Sequence, residues 1–265
     1  MLDVVKLNKV YVVGLFKRKY IHAVVDVSFK IREGELVSLV GESGSGKTTT
    51  ARMILRLLRP TSGKIFFEGK DVWQLSKKEE IKDFYRKVHG IFQDPYASYN
   101  PLYRVDRILY QAFNLFDREL DDKEKEELVK ESLKAVGLNP DEILGKYPHE
   151  LSGGQRQRLM IARCYMLKPK LIIADEPTSM IDASSRAGII QLLNSLRDNY
   201  KTSVLFITHD LGLAYYVSDR IMIMYRGRII EEGEPDEILS HPQHEYTKML
   251  VRSAPLLYRK WEDFV

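Results

Sequence analysis

At 265 residues, with 44% hydrophobic and 29% charged side chains, the chain is long enough to bury a sizeable core and has none of the bias of a disordered protein. No run approaches the ~18 apolar residues that a bilayer-crossing helix needs, and the start Met1-Leu2-Asp3-Val4-Val5-Lys6 has no basic stretch leading into an apolar one. A net charge of +4 is too small to argue for nucleic acid, and the one cysteine, Cys164, closes no internal disulfide; the expectation is a cytoplasmic protein whose membrane work falls to a partner.

In chain order, residues 7–13, 24–31 and 63–68 are short β-rich runs bounded by charged turns such as Arg32-Glu33-Gly34, and predict an antiparallel sheet beside the core. Residues 35–40 are apolar and end on Gly41-Glu42-Ser43-Gly44-Ser45-Gly46-Lys47-Thr48, with Thr49 opening a helical pattern over 49–58. Strand, glycine loop and helix together turn a motif match into a mechanism. The glycines let backbone pass close to phosphates, the N–H groups and the helix N-terminus converge on them, Lys47 neutralises charge, and the Thr48 hydroxyl ligates Mg²⁺.

Residues 88–92 read as a strand ending at Gln93, a neutral amide able to contact Mg²⁺ and an attacking water. Residues 94–158 lack strand signals. Within them, 121–136 predicts an amphipathic helix with Leu128, Leu133 and Val136 on one side, and the block reads as a helical insertion. Leu151-Ser152-Gly153-Gly154-Gln155 precedes a helix over 156–167, so Ser152 and the glycine amides predict a second anion site at a helix N-terminus. The apolar run 171–174 ends in Asp175 and Glu176; Asp175 is placed to face Thr48 across Mg²⁺, and Glu176 to act as general base on water. A helix over 184–199 leads to the apolar run 203–208, which His209 and Asp210 close. Unbroken apolar runs alternating with helices predict parallel strands buried on both faces, with ligands at their carboxyl ends. Residues 221–225 and 228–231 predict a hairpin across Arg226-Gly227.

The glycine loop, Gln93, Leu151–Gln155, Asp175-Glu176 and His209, in that order, resemble the nucleotide-binding subunit of an ATP-binding-cassette (ABC) transporter over most of the chain. The resemblance implies an α/β fold: a P-loop ATPase cassette with a RecA-like parallel-sheet core, an antiparallel β subdomain and an inserted helical subdomain. It divides the chain into one ATPase domain over 1–240, with 1–93 and 159–240 as core, 94–158 as the helical insertion, and 241–265 as an extension. It implies ATP hydrolysis with Glu176, His209 and Gln93 as catalytic residues, and Thr48, Gln93 and Asp175 at Mg²⁺. It also implies head-to-tail dimerisation, with Leu151–Gln155 of one subunit covering the γ-phosphate on the other and Asp182 reaching across. An early aromatic that stacks on adenine is matched by Tyr11, with Tyr20 and Phe16 as competitors.

Gln93-Asp94-Pro95-Tyr96-Ala97-Ser98-Tyr99-Asn100-Pro101 and His241-Pro242-Gln243-His244-Glu245-Tyr246-Thr247-Lys248-Met249-Leu250 are similar to segments of the oligopeptide/dipeptide importers. That subfamily implies two multi-spanning permease subunits, a second ATPase subunit (identical or related), an extracytoplasmic solute-binding protein acting indirectly, and a peripheral place on the cytoplasmic face of the membrane. The solute stays open between peptides, oligosaccharides and nickel. Cysteines that hold an iron–sulfur cluster in many members are missing, so no cluster is expected, and no nucleic-acid partner. A soluble ABC protein of ribosomes or DNA, or a small-molecule kinase, is the rival reading. No heptad pattern fills 94–158, and a kinase leaves Leu151–Gln155 unexplained.

Overall fold

A computed structural model of the chain describes residues 1–14, 18–93, 100–179 and 181–253. In chain order, β1 (Leu2–Val13) and β2 (Lys19–Ile31) form a long hairpin, β3 (Leu36–Val40) leads into α1 (Lys47–Ile54), and β4 (Ser62–Phe67) and β5 (Lys70–Asp71) follow. Next come α2 (Lys78–Lys87), β6 (Val88–Ile91), α3 (Asp106–Ala112), α4 (Asp122–Ala135), α5 (Pro140–Ile143) and α6 (Gly153–Leu167). Strand β7 (Leu171–Asp175), α7 (Ala183–Tyr200) and β8 (Ser203–Thr208) precede α8 (Leu211–Val217), β9 (Arg220–Tyr225), β10 (Arg228–Gly233), α9 (Pro235–Ser240) and α10 (Glu245–Ser253). The chain forms two compact units, Met1–Gln74 with Leu205–Val265, and Leu75–Val204; β8 runs across their boundary.

The first unit holds an antiparallel sheet of order β2-β1-β4-β5, as the three β-rich runs predict. Its hairpin is longer than predicted: β1 begins at Leu2, where Leu2 and Val4 are buried beside Ile31 and Phe29, and β2 begins at Lys19, where Tyr20 and Ile21 are exposed and only the ladder marks the strand. The same unit contains the order β10-β9-β3, with β9 parallel to β3 and antiparallel to β10. All five residues of β3 are buried, as expected for a strand covered on both faces. Val40, Leu211, Ala214, Ile221, Ile223, Ile238 and Tyr246 form one apolar cluster there. Helix α1 ends at Ile54 rather than 58: Arg56 adopts φ 58°, and Leu57 and Leu58 N–H both return to Arg52 O.

In the second unit β6 lies parallel to β7, with Val88 opposite Leu171 and Ile91 opposite Ala174. Helix α4 starts with a reciprocal capping box between Asp121 and Glu124 and buries Val129 and Leu133, with Val136 buried just past its end; Leu128 is half-buried, so the apolar stripe sits one residue round from the predicted one. Helix α2 went unpredicted because it buries only Phe84. Its signals are electrostatic: Glu79 and Glu80 in the first turn, Arg86 and Lys87 in the last, and ion pairs from Asp83 to both basic residues. Among the described residues no helix is long and apolar enough to cross a membrane.

Candidate nucleotide site

In the first unit the chain leaves β3 at Val40, turns through Gly41 to Gly46, and enters α1 at Lys47. Two glycines are dictated by the surroundings. A side chain at Gly41 would collide with the Met224 carbonyl oxygen, and one at Gly46, where φ is 112°, would collide with the Ala23 carbonyl and sit 2.7 Å from Met224 Cε. Within the loop, Ser45 N–H donates to Glu42 O at 3.1 Å, and the Thr50 N–H and hydroxyl both donate to Gly46 O at 2.9 and 3.0 Å. The Lys47 side chain is buried, and its Nζ donates to Gly41 O at 2.6 Å and Glu42 O at 2.8 Å.

This donor set fits a polyphosphate. The Ser45 hydroxyl is buried with no hydrogen-bond partner, α1 has no acidic residue in its first turn, and the lysine ammonium is folded against the loop. A helix N-terminus and a desolvated cation together favour a multiply charged anion. Thr48 stands half-buried in the first turn of α1. His209 is exposed just past β8; Asp210 beside it caps α8 by accepting from Leu213 N–H at 3.0 Å. Tyr11 is half-buried on β1 opposite Ile21, with Lys9 Nζ 5.4 Å from its ring centroid, while its competitor Tyr20 is exposed on β2. Phe16 lies outside the described residues, as do Asp94–Tyr99.

The second unit carries the carboxylates. Asp175 ends β7 and is 3% exposed. Glu176 follows at φ 47°, a left-handed conformation for a non-glycine residue that stands before Pro177. Its carbonyl accepts from the Ser179 N–H at 3.2 Å and hydroxyl at 3.0 Å, which closes the turn that holds it there. Because Ile91 pairs with Ala174 in parallel register, Gln93 and Glu176, each two residues further on, leave the sheet at the same edge. The register thus sets side by side two strand ends that are far apart in the sequence.

Ser152 caps α6, which begins at Gly153 rather than at 156. The Ser152 Oγ accepts from Gln155 N–H at 3.2 Å, and Gln155 Oε1 accepts from Ser152 N–H at 2.9 Å. This reciprocal box moves the helix start forward. Leu151 is buried, and the Arg156 guanidinium, buried beneath it, donates to Pro148 O at 2.7 Å and Leu151 O at 2.5 Å. Arg156 was missed by sequence reasoning; its signal was a charge on the inward side of a helix. A methyl added at Gly154 would meet Ser185 Oγ at 3.5 Å, an ordinary contact, so this chain's own packing does not require glycine there. Asp182 caps α7, accepting from the Ser185 N–H at 2.8 Å and hydroxyl at 3.2 Å.

Two titratable side chains of the second unit, His89 and Cys164, are buried. Burial, helped by the Arg163 charge, holds the His89 imidazole at about 3 and therefore neutral. Burial pushes the Cys164 thiol up to about 12, which leaves it unreactive. Sequence reasoning also missed what supports the phosphate loop: Gly227 N–H donates to Ser45 O at 2.9 Å from the β9–β10 turn, and Glu42 N–H donates to Tyr246 Oη at 2.9 Å.

Residues 24–179 match the family described as ABC transporter, and residues 230–265 match the oligopeptide/dipeptide transporter C-terminal region. The chain is 42% identical over 249 residues to the oligopeptide transport ATP-binding protein AppF of Bacillus subtilis (strain 168), which covers 93% of this chain and 75% of that protein. It is 44% identical over 239 residues to the oligopeptide transport ATP-binding protein OppF of the same organism, covering 90% and 78%. Among solved structures, the ATP-binding cassette MJ0796, a dimer in a post-hydrolysis state bound to ADP and Pi, is similar with a TM-score of 0.79 and 30% identity, covering 89% of this chain and 99% of that one.

Proposed function

The chain belongs to the ABC transporter family and is an ATP-binding ATPase of it; from that premise we propose that it powers import of oligopeptides through membrane permeases. One observation supports the mechanism: the chain has two glycine-led helix N-termini with no acidic residue in the first turn, at Lys47 and at Gly153, each in its own unit. One nucleotide needs only one such loop. The second is explained if a partner subunit's nucleotide uses it, with Ser152 and the amides of Gly153 and Gly154 meeting the γ-phosphate and Asp182 making a second contact across the dimer. Glycine at 154, which this chain's packing leaves optional, then keeps room for that ligand.

In this reading the loop Gly41–Thr48, with Thr49, holds the phosphates while the Glu42 N–H is kept by the Tyr246 hydroxyl, Lys47 offsets the phosphate charge, and Tyr11 stacks on adenine. Thr48, Asp175 and Gln93 hold Mg²⁺, whose chemistry is to neutralise the phosphate oxygens. Glu176 accepts the proton of the attacking water, Gln93 orients that water, and His209 donates to the γ-phosphate. Residues 94–158 form the helical block, 1–240 the ATPase domain and 241–265 the extension. The peptide class is supported by the relatives' names and by the match at 230–265.

Two experiments test this. With Glu176→Gln protein, size-exclusion chromatography is expected to show a dimer in ATP and none in ADP. A monomer in both would replace the homodimer by a pair with a related subunit. With its permeases in vesicles, ATP-dependent uptake of a labelled oligopeptide is expected; uptake of an oligosaccharide or nickel instead would overturn the peptide assignment.

A further inference from the structure

The residues from His241 onward lie beyond the last strand, yet one of them reaches the phosphate loop. Helix α10 carries Tyr246, a buried side chain whose Oη accepts a hydrogen bond from Glu42 N–H at 2.9 Å. That N–H belongs to the peptide unit joining Gly41 to Glu42. The carbonyl of the same unit, Gly41 O, accepts from Lys47 Nζ at 2.6 Å. A peptide unit is a rigid plane, so orienting its N–H also orients its carbonyl. The Tyr246 hydroxyl and the Lys47 ammonium therefore hold opposite ends of one plate, and hydrogen bonds linked this way reinforce one another.

Tyr246 is itself firmly placed. Its ring stacks on Tyr225 with centroids 4.2 Å apart and planes 23° apart, within the cluster that contains Ile221, Ile223 and Ile238. Its N–H donates to His244 Nδ1 at 3.0 Å, and the Glu231 carboxylate accepts from Gln243 and His244 N–H at 2.7 and 3.1 Å. Burial raises the phenol above its ordinary pKa, so it stays a neutral hydroxyl. The stack and the cluster need only an aromatic ring; the hydroxyl is spent on the loop.

We propose that Tyr246 is a positioning residue for ATP hydrolysis, which sets the place of Lys47 through the Gly41–Glu42 peptide and makes the carboxyl-terminal segment a working part of the nucleotide site. The inference rests on the reading of Gly41–Thr48 as the loop that binds ATP phosphates.

Steady-state ATPase assays of the full chain test it with Tyr246→Phe, which keeps the ring and removes the hydroxyl. The KM for ATP is expected to rise roughly three- to tenfold, the range for losing one hydrogen bond, with a smaller change in kcat. Two comparison variants separate the possible failures. Lys47→Ala is expected to lose ATP binding, and normal binding there would overturn the phosphate-loop reading itself. Ile238→Val thins the apolar cluster around Tyr246 and is expected to lower the melting temperature while leaving KM unchanged. A wild-type KM in Tyr246→Phe, with Lys47→Ala inactive, overturns the proposal. So does a KM rise in Ile238→Val equal to that in Tyr246→Phe, because packing alone would then account for both.

Discussion

Replacing Glu176 with glutamine is expected to lower ATP turnover at least ~10²-fold while Mg-ATP binding survives, the usual range for removing a general base. The amide has nearly the same size and hydrogen-bonding reach as the carboxylate, so the turn closed by Ser179 is undisturbed. What is lost is the ability to take a proton from water. Glu176 is half-buried at the carboxyl end of β7 and held in a left-handed backbone conformation, a strain that the surrounding turn must enforce. Pre-steady-state phosphate release and nucleotide binding, measured on the same protein, check the result. Turnover within a few-fold of wild type would remove Glu176 from the catalytic role and turn attention to Asp175 or His209.

The second large effect is expected at Gly46. Gly46→Ala combines a φ of 112° with a new methyl directed into the Ala23 carbonyl and against Met224 Cε. The backbone conformation alone costs about 1–2 kcal/mol for an L-residue, and the collision with backbone atoms, which have no rotamer to escape into, adds to that. The loop must shift, and with it the Gly46 carbonyl that accepts from Thr50 and begins α1. Loss of nucleotide binding and a destabilisation of more than about 2 kcal/mol in chemical denaturation are expected. Gly44→Ala is the internal control. Its φ is 81°, but nothing lies within 4 Å of the added atom, so only the backbone cost applies. Equal losses in the two variants would mean that the collision contributes nothing and that flexibility alone is required.

The sequence by itself determined the family and most of the local folding units. Gly41–Thr48 between an apolar run and a helical pattern and two carboxylates closing another apolar run are short-range arrangements; a strand end or a phosphate loop is specified by neighbours a few residues apart. Helix α2, marked only by charge, escaped that reading because it leaves no apolar periodicity, and the end of α1 was overrun because Leu55, Leu57 and Leu58 continue the apolar pattern past the backbone bonds that return to Arg52. Only the tertiary structure decided which distant groups meet. Register between β6 and β7 sets Gln93 and Glu176 at one edge, and the turn at Gly227 reaches Ser45. Tyr246 finds the Glu42 amide across 204 positions of chain. Those contacts depend on how strands pair and how the last helix packs on them, and a hydroxyl meeting a single backbone N–H writes no pattern into the amino-acid order.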